Sequence, residues 1–364
     1  MRVSAALIVR NEEKHLGACL ACVAAIVDEI IVVDTGSTDS TPDIASENGA
    51  ILVRETWRDD FSQARNCALE RATGDWILYI DADERVRLDG SLESVLRDPK
   101  AVAARVSFRA SSQLTPYKEH RVFRNRPDIR FRGVIHETIV PDLQRIIEKE
   151  NAAIVDAPLS IDHLGYEGDL QAKHQRNLPL LQRAVEEDAE RIFLWHALGE
   201  AQLGLGDAKS AHGSWRKGLA YLRGRAPLPG DVLIYADLMD LHFSESERAL
   251  PDVDQLVTES NIRHADDPLV LYWTARHLAA TGDFAQARAK LEQLLSHGPD
   301  GSLQGVLGYD TRLFDEFAWG LMGVCWLNEG DPESALVWLR RAEEANPDDL
   351  EIRTKRQLAE GMTR

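Results

Sequence analysis

The chain is poor in cysteine, with four in 364 residues, Cys19, Cys22, Cys67 and Cys325. So few thiols exclude a disulfide-stapled scaffold and point to a reducing compartment. Cys19 and Cys22 have CxxC spacing, but no second pair completes a zinc site. Both fall in a helical pattern with Leu16, Leu20 and Val23, so core packing explains them. Long apolar runs are also missing: nothing approaches the roughly 18 residues that cross a bilayer. Met1-Arg2 precede only a strand-length apolar segment, so neither a signal peptide nor a membrane span is expected, and the expected location is cytoplasmic. Basic residues are outnumbered, 42 Lys and Arg against 60 Asp and Glu for a net charge of −18, which argues against a general nucleic-acid partner. GxGxxG and GxxxxGK[ST] are both absent, leaving dinucleotide dehydrogenases and P-loop enzymes without their phosphate loops.

The segment Trp76–Glu84, WILYIDADE, is the most informative one present. Its apolar run is the pattern of a strand buried on both faces of a mostly parallel sheet. It ends in Asp81 and Asp83, and side chains at i and i+2 of an extended segment point the same way. Converging carboxylates raise the free energy of a site unless a cation or polar donors oppose them, and a divalent metal would do so. Ala5–Asn11 and Glu29–Asp34 are further apolar runs with polar ends, the second followed by TGSTD. Helical patterns at 12–26, 40–48 and 61–72 lie between the strands. This alternation predicts a parallel α/β sheet with right-handed crossovers, whose ligands bind at the carboxyl ends of the strands.

LIVRNEE, VVDTGSTDST and FSQARNCALERATGDWILYIDADE together resemble family 2 glycosyltransferases of the GT-A fold. The resemblance covers about the first 165 residues and implies a Rossmann-like catalytic domain over 1–165. It implies a nucleotide pocket lined by Val9, Arg10, Asn11 and Glu12, with Asp34 accepting a hydrogen bond from the base and Arg65 near the base or diphosphate. Asp81 would hold the ribose or a metal-bound water. Asp83 would ligate Mn²⁺ or Mg²⁺, hard ions suited to carboxylate and phosphate oxygens. The donor implied is a UDP-sugar and the outcome inversion, which needs a base opposite the leaving group. HRVFRNRPDIRFRGVIHE, 120–137, recurs in the peptide-modifying, repeat-bearing branch of the family, and nominates Glu137 as base and His136 as a donor near sugar or phosphates. The run's alternative role is to orient a loop. Its arginines, with Lys118, locally reverse the charge and would suit a diphosphate or anionic acceptor, although an exposed basic loop also explains them. His163 in SIDHLGY, after the apolar stretch 152–161, is the best further metal ligand.

Past Gly165 the strand patterns stop. Gly-Asp followed by an Ala four residues after the Asp recurs at Gly206, Gly282 and Gly330, downstream of Trp195, Trp273 and Trp319. This resembles degenerate tetratricopeptide repeats, giving an all-α region over 166–364 in which helix, glycine turn and second helix stack. The spacing is irregular: insertions at 223–230 and 297–308 break the array, and an unmarked helix pair is expected within 231–264. Such arrays bind extended peptides or self-associate, so a peptide, protein or saccharide acceptor and a homodimer through the repeats are the expected partners. Two functions follow: an inverting, metal-dependent glycosyltransferase, or an inactive GT-A scaffold that binds nucleotide or a protein. Intact Asp34, Arg65, Asp81 and Asp83 favour the enzyme.

Overall fold

A computed structural model describes residues 1–165, 170–244, 250–301 and 305–363. The chain divides into two compact units, one of Met1–Ser112, Pro116–Ala189 and Gly204–Gly206, the other of Gln113–Thr115, Glu190–Leu203 and Asp207–Arg364.

The first unit runs β1 (Val3–Val9), α1 (Leu16–Ala24), β2 (Glu29–Asp34), α2 (Thr41–Glu47), β3 (Ile51–Arg54), α3 (Phe61–Arg71), β4 (Trp76–Tyr79), β5 (Glu84–Leu88), α4 (Leu92–Leu96), β6 (Ala101–Arg109), β7 (Tyr117–Arg124), α5 (Val140–Glu150), β8 (Ala153–His163) and α6 (Leu170–Glu187). Its sheet has the order β3-β2-β1-β4-β7-β6-β8-β5. The pairs β1–β2, β1–β4, β2–β3 and β6–β8 are parallel, while β4–β7, β6–β7 and β5–β8 are antiparallel. Strand side chains alternate between two cores. Ala5, Leu7, Val32 and Leu78 pack with Leu16, Leu20 and Val23 of α1 on one face. Ala6, Ile31, Val33 and Ile77 pack with Ala68 and Leu69 of α3 and Leu143 and Ile146 of α5 on the other. Helices on both faces explain why the strands read as unbroken apolar runs. Cys19 lies in the first core and all four cysteines are free thiols.

The second unit holds α7 (Ile192–Gly204), α8 (Ala208–Leu222), α9 (Val232–Ser244), α10 (Val253–His264), α11 (Pro268–Ala280), α12 (Phe284–Gly301), α13 (Glu316–Asn328), α14 (Pro332–Ala345) and α15 (Leu350–Met362), apart from the end of α7, which groups with the first unit. The Gly-Asp marks separate α7 from α8, α11 from α12 and α13 from α14. Gly206, Gly282 and Gly330 have φ of 85°, 88° and 84°, a left-handed turn that closes one helix at little steric cost. Each following aspartate caps the next helix: Asp207, Asp283 and Asp331 accept from the N–H of Ser210, Gln286 and Ser334 at 3.0, 3.2 and 3.0 Å. The alanines four residues on, Ala211, Ala287 and Ala335, are fully buried. α9 and α10 supply the unmarked pair. Trp195 and Trp273 are buried, whereas Trp319 is only half-buried. The second expected insertion begins where α12 breaks, at Gly298 with φ 59°.

Candidate active site

Parallel pairing sets Val9 beside Asp34 and brings the carboxyl ends of β1, β2 and β4 to one edge. The two loops there are knitted together. The Asn11 N–H donates to Ser37 Oγ at 2.9 Å, the Thr38 N–H donates to Asn11 Oδ1 at 2.8 Å, and the Glu12 N–H donates to Thr41 Oγ1 at 2.7 Å. Asn11 has φ 58°, a conformation asparagine tolerates better than most residues. Asp34 is buried and its Oδ1 accepts from the Ser37 N–H and hydroxyl at 3.0 and 2.5 Å. Asn11 and Asp34 therefore shape the edge, and Val9, Arg10, Glu12 and Thr35 face the adjoining cavity.

The carboxylates of Asp81 and Asp83 are not brought together by extended backbone, as the strand pattern suggested. Residues 81–84 form a turn, with the Glu84 N–H donating to the Asp81 carbonyl at 3.1 Å, and each aspartate has its own counterpart. Arg65 Nη2 lies 2.9 Å from Asp81 Oδ1, and Arg65 Nε donates to Glu137. Burial works against the Asp81 anion, but Arg65 and Arg121 outweigh it and hold its carboxyl below the usual range. Sequence reasoning missed Glu84, the last letter of DADE. It is fully buried, accepts the Asp81 N–H at 2.8 Å, and forms a two-pronged pair with Arg121 at 2.8 and 3.2 Å. Burial pushes its carboxyl up to about 7, against the pull of Arg121.

Glu84 opposes His163 in the β5–β8 ladder, which sets Asp83 beside His163: Asp83 Oδ2 is 3.0 Å from His163 Nε2. His163 is the last residue of β8. Its Nδ1 lies 3.2 Å from the Ala110 carbonyl, an anchor that orients the ring with Nε2 toward Asp83, as outer partners of metal-binding histidines do. A Cβ on Gly165 would fall 1.9 Å from Asp83 Oδ2, so a larger residue there would displace that carboxylate. One carboxylate oxygen and one oriented imidazole nitrogen, 3.0 Å apart, fit two protein ligands of a hard divalent ion whose remaining positions are filled by phosphate oxygens and water. Among the described residues no three His, Cys, Asp or Glu side chains group tightly enough to hold a metal unaided.

His136 and Glu137 lie on a loop pinched shut by paired 3.0 Å hydrogen bonds between Arg132 and Thr138. His136 has φ 51° and Gly133 φ 95°. The basic run is spent on structure and does not form a phosphate patch. Arg126 pairs with Asp128 and Glu150, Arg132 with Asp142, and Arg124 and Arg130 bind backbone carbonyls. Arg124 and Arg126 border a small cavity with Pro99 and Glu150, and Arg121 borders one with Tyr79 and Glu137, where it is taken by Glu84 and Glu119.

Two cavities adjoin this edge. One of about 520 Å³ contains Arg10, Glu12, Trp57, Asp81, Asp83 and His163; the other, about 260 Å³, contains Tyr79, Glu119, Arg121, His136 and Glu137. Phe61, Arg65, Asp81 and Arg176 line both. Glu12 is pushed up to about 7, by burial first and then by Asp83, Asp81 and Asp39. Lys173 and Arg176 come from α6, which no motif marked.

Residues 4–152 match glycosyl transferase family 2, and residues 268–293, in α11 and α12, match the tetratricopeptide repeat. Over residues 4–152 the chain is thus similar to the family 2 glycosyltransferases. A TPR repeat-containing protein of Synechococcus elongatus is 39% identical over 259 residues, 68% of this chain and 64% of that protein. The SPbeta prophage-derived glycosyltransferase SunS of Bacillus subtilis is 30% identical over 203 residues, 52% of this chain and 46% of SunS. The chain thus spans less than two thirds of either relative. Among solved structures, the TPR protein YrrB aligns at 18% identity with a TM-score of 0.36, over 51% of this chain and 84% of YrrB. The Pyrobaculum calidifontis mannosyltransferase PcManGT, in complex with GDP-Man and Mn²⁺, aligns at 19% identity with a TM-score of 0.39, over 72% and 87%.

Proposed function

We propose that this chain is an inverting, metal-dependent glycosyltransferase that moves a sugar from a nucleotide-diphosphate donor, of which a UDP-sugar is the first candidate, to a peptide, protein or saccharide acceptor. The observation that carries the reading is the Asp83–His163 pair, 3.0 Å apart at the carboxyl edge of the sheet, facing the larger cavity. Mn²⁺ or Mg²⁺ bound there would supply Lewis-acid stabilisation of the departing diphosphate. The chain's own residues have separable tasks. Val9, Glu12 and Thr35 wall the nucleotide side, and Asn11 and Asp34 fix the loops that carry them. Arg65 holds Asp81 and Glu137 at fixed positions, so donor and acceptor cavities are registered through one guanidinium. Glu137, in the smaller cavity, takes the acceptor proton through the oxygen not bound by Arg65, and His136 borders the same cavity. Similarity to SunS supports the transferase reading.

The test is thermal unfolding of the full chain with UDP-, GDP- and dTDP-sugars, each with and without Mn²⁺. A ligand at about a hundred times its Kd adds about 2.7 kcal/mol, a shift of roughly 5–10 °C for a unit of this size. The shift should require metal and vanish in Asp83→Ala. Glu137→Gln should keep the shift while turnover falls by about 10²-fold or more. A folded protein that shifts with no donor is instead a scaffold.

A further inference from the structure

The turn that carries Asp81 and Asp83 is held from beneath by α1. The fully buried Cys19 thiol donates to the Asp81 carbonyl at 3.3 Å. Arg85, just past the turn, donates to the carbonyls of Ala82 and Glu84 at 3.1 and 2.8 Å, and to that of His15, where α1 begins, at 3.3 Å. Cys22 lies one turn further along α1 and is part-exposed; in its protonated form it donates to the Cys19 carbonyl at 3.0 Å. Donation from the Cys19 thiol, then the Val86 N–H and the charge of Arg85, draw the Cys22 thiol down to about 6 against its burial. A thiolate is the reactive form of cysteine, and a neighbouring arginine favours it. Packing accounts for Cys19 as a small buried apolar residue. It does not account for a part-exposed Cys22 beside a guanidinium that, among the described residues, bonds carbonyls and no carboxylate.

We propose that Cys19 and Cys22 are an oxidisable dithiol whose disulfide loosens the Asp81–Glu84 turn and, with it, the Asp83–His163 pair. Residues three apart on a helix have Cα atoms about 5 Å apart, inside the range for a disulfide. Their Cβ atoms, however, stand about 5–6 Å apart where a disulfide needs about 3.8 Å, so closure tightens one turn of α1 by about 1–2 Å and shifts Cys19. The oxidant is a small-molecule disulfide. The Cys22 thiolate attacks one of its sulfurs and releases the other as a thiolate. The Cys19 sulfur then attacks Cys22 Sγ, the mixed disulfide breaks, and the second thiolate leaves. Two electrons pass from the dithiol to the oxidant, and its two released sulfurs take up the two cysteine protons. Cys19 then has no S–H to give, so the Asp81 carbonyl loses that donor and keeps the Glu84 N–H at 3.1 Å. The consequence for metal binding rests on the glycosyltransferase reading; the dithiol and its coupling to the turn do not.

The full chain, kept reduced or incubated with oxidised glutathione and then alkylated, tests this by mass spectrometry and by amide hydrogen exchange over residues 81–86. Trypsin releases residues 15–54 as one peptide whose only cysteines are Cys19 and Cys22, and in the oxidised chain it should lose two hydrogens and take no alkyl group. Exchange at the Glu84 N–H should rise about 2- to 10-fold and fall back on adding dithiothreitol. Cys22→Ser keeps a small side chain at a part-exposed position; it should form no bridge and hold the slow exchange under oxidant. The Mn²⁺-dependent thermal shift should shrink in the oxidised wild type and not in Cys22→Ser. A chain that ends with glutathione on Cys22 and no bridge, or with a bridge and unchanged exchange, overturns the proposal. A reduced chain with no metal-dependent shift removes the transferase reading and leaves the dithiol to stand or fall by the mass and the exchange.

Discussion

Arg65→Met is the perturbation whose outcome is best fixed by the geometry. Arg65 is 8% exposed and pairs with Asp81 at 2.9 Å and with Glu137, whose side chains are 36% and 10% exposed. Its guanidinium also lies 5.1 Å from the Tyr79 ring centre and 5.6 Å from that of Phe131. Methionine keeps much of the stem's volume but leaves Glu137 an uncompensated buried anion, and removing one partner of a buried pair costs about 3–5 kcal/mol. Asp81 can be rehydrated through its exposed third, so the lower end, about 3 kcal/mol, is expected. That lowers the unfolding temperature of the first unit by roughly 6–12 °C. The Glu137→Gln partner makes the reasoning refutable. Because it removes the orphaned charge, the Arg65→Met/Glu137→Gln protein should be more stable than the sum of single losses by at least about 1 kcal/mol. Urea unfolding, followed by hydrogen exchange at α3 and β4 so that the first unit is read separately, measures all four proteins. An Arg65→Met protein within about 0.5 kcal/mol of wild type, or strictly additive losses, would show that the guanidinium is not what holds these carboxylates.

Gly165→Ala puts a Cβ 1.9 Å from Asp83 Oδ2, so the carboxylate must leave His163, and the Mn²⁺-dependent thermal shift should disappear. An unchanged shift would separate the pair from metal binding. In the helical unit, burial alone would discharge His196, but Asp237 at 2.7 Å and the charge of Glu200 hold it up at about 9, while burial raises Asp237 to about 6. Between those values both groups are charged. A raised histidine contributes stability that is fully present below its unfolded pKa near 6.5 and is lost as pH rises through 9, on the order of 3 kcal/mol at most. Unfolding of the second unit across pH 6–10 should show that fall, and His196→Asn should flatten it.

Much of this was legible in the chain because local chemistry wrote it. Continuous apolar runs with helical patterns between them announced the parallel pairing among strands β1 to β4, though not the antiparallel pairs β4–β7, β6–β7 and β5–β8, and Trp76–Tyr79 ends within a residue of where its pattern stopped. Gly-Asp-x-x-x-Ala announced a glycine turn between two stacked helices three times over. Asp83 and His163 could be nominated separately, but their 3.0 Å approach depends on β5 pairing with β8, strands about 75 residues apart. No local pattern encodes that pairing. The same holds for the turn that parts Asp81 from Asp83, for Glu84 beneath them, and for an arginine run that looked like a phosphate patch until each guanidinium found its carboxylate or carbonyl. α6 gave no signal at all, since a lysine and an arginine three apart on an amphipathic helix read as solvated surface. The sequence alone determined which elements form and which residue types sit at their ends, because those follow from periodicity, capping and turn sterics within a few residues. Only the tertiary structure decided which charges meet, because ion pairing across a sheet depends on strand order and register, and these are settled by the burial of the whole core.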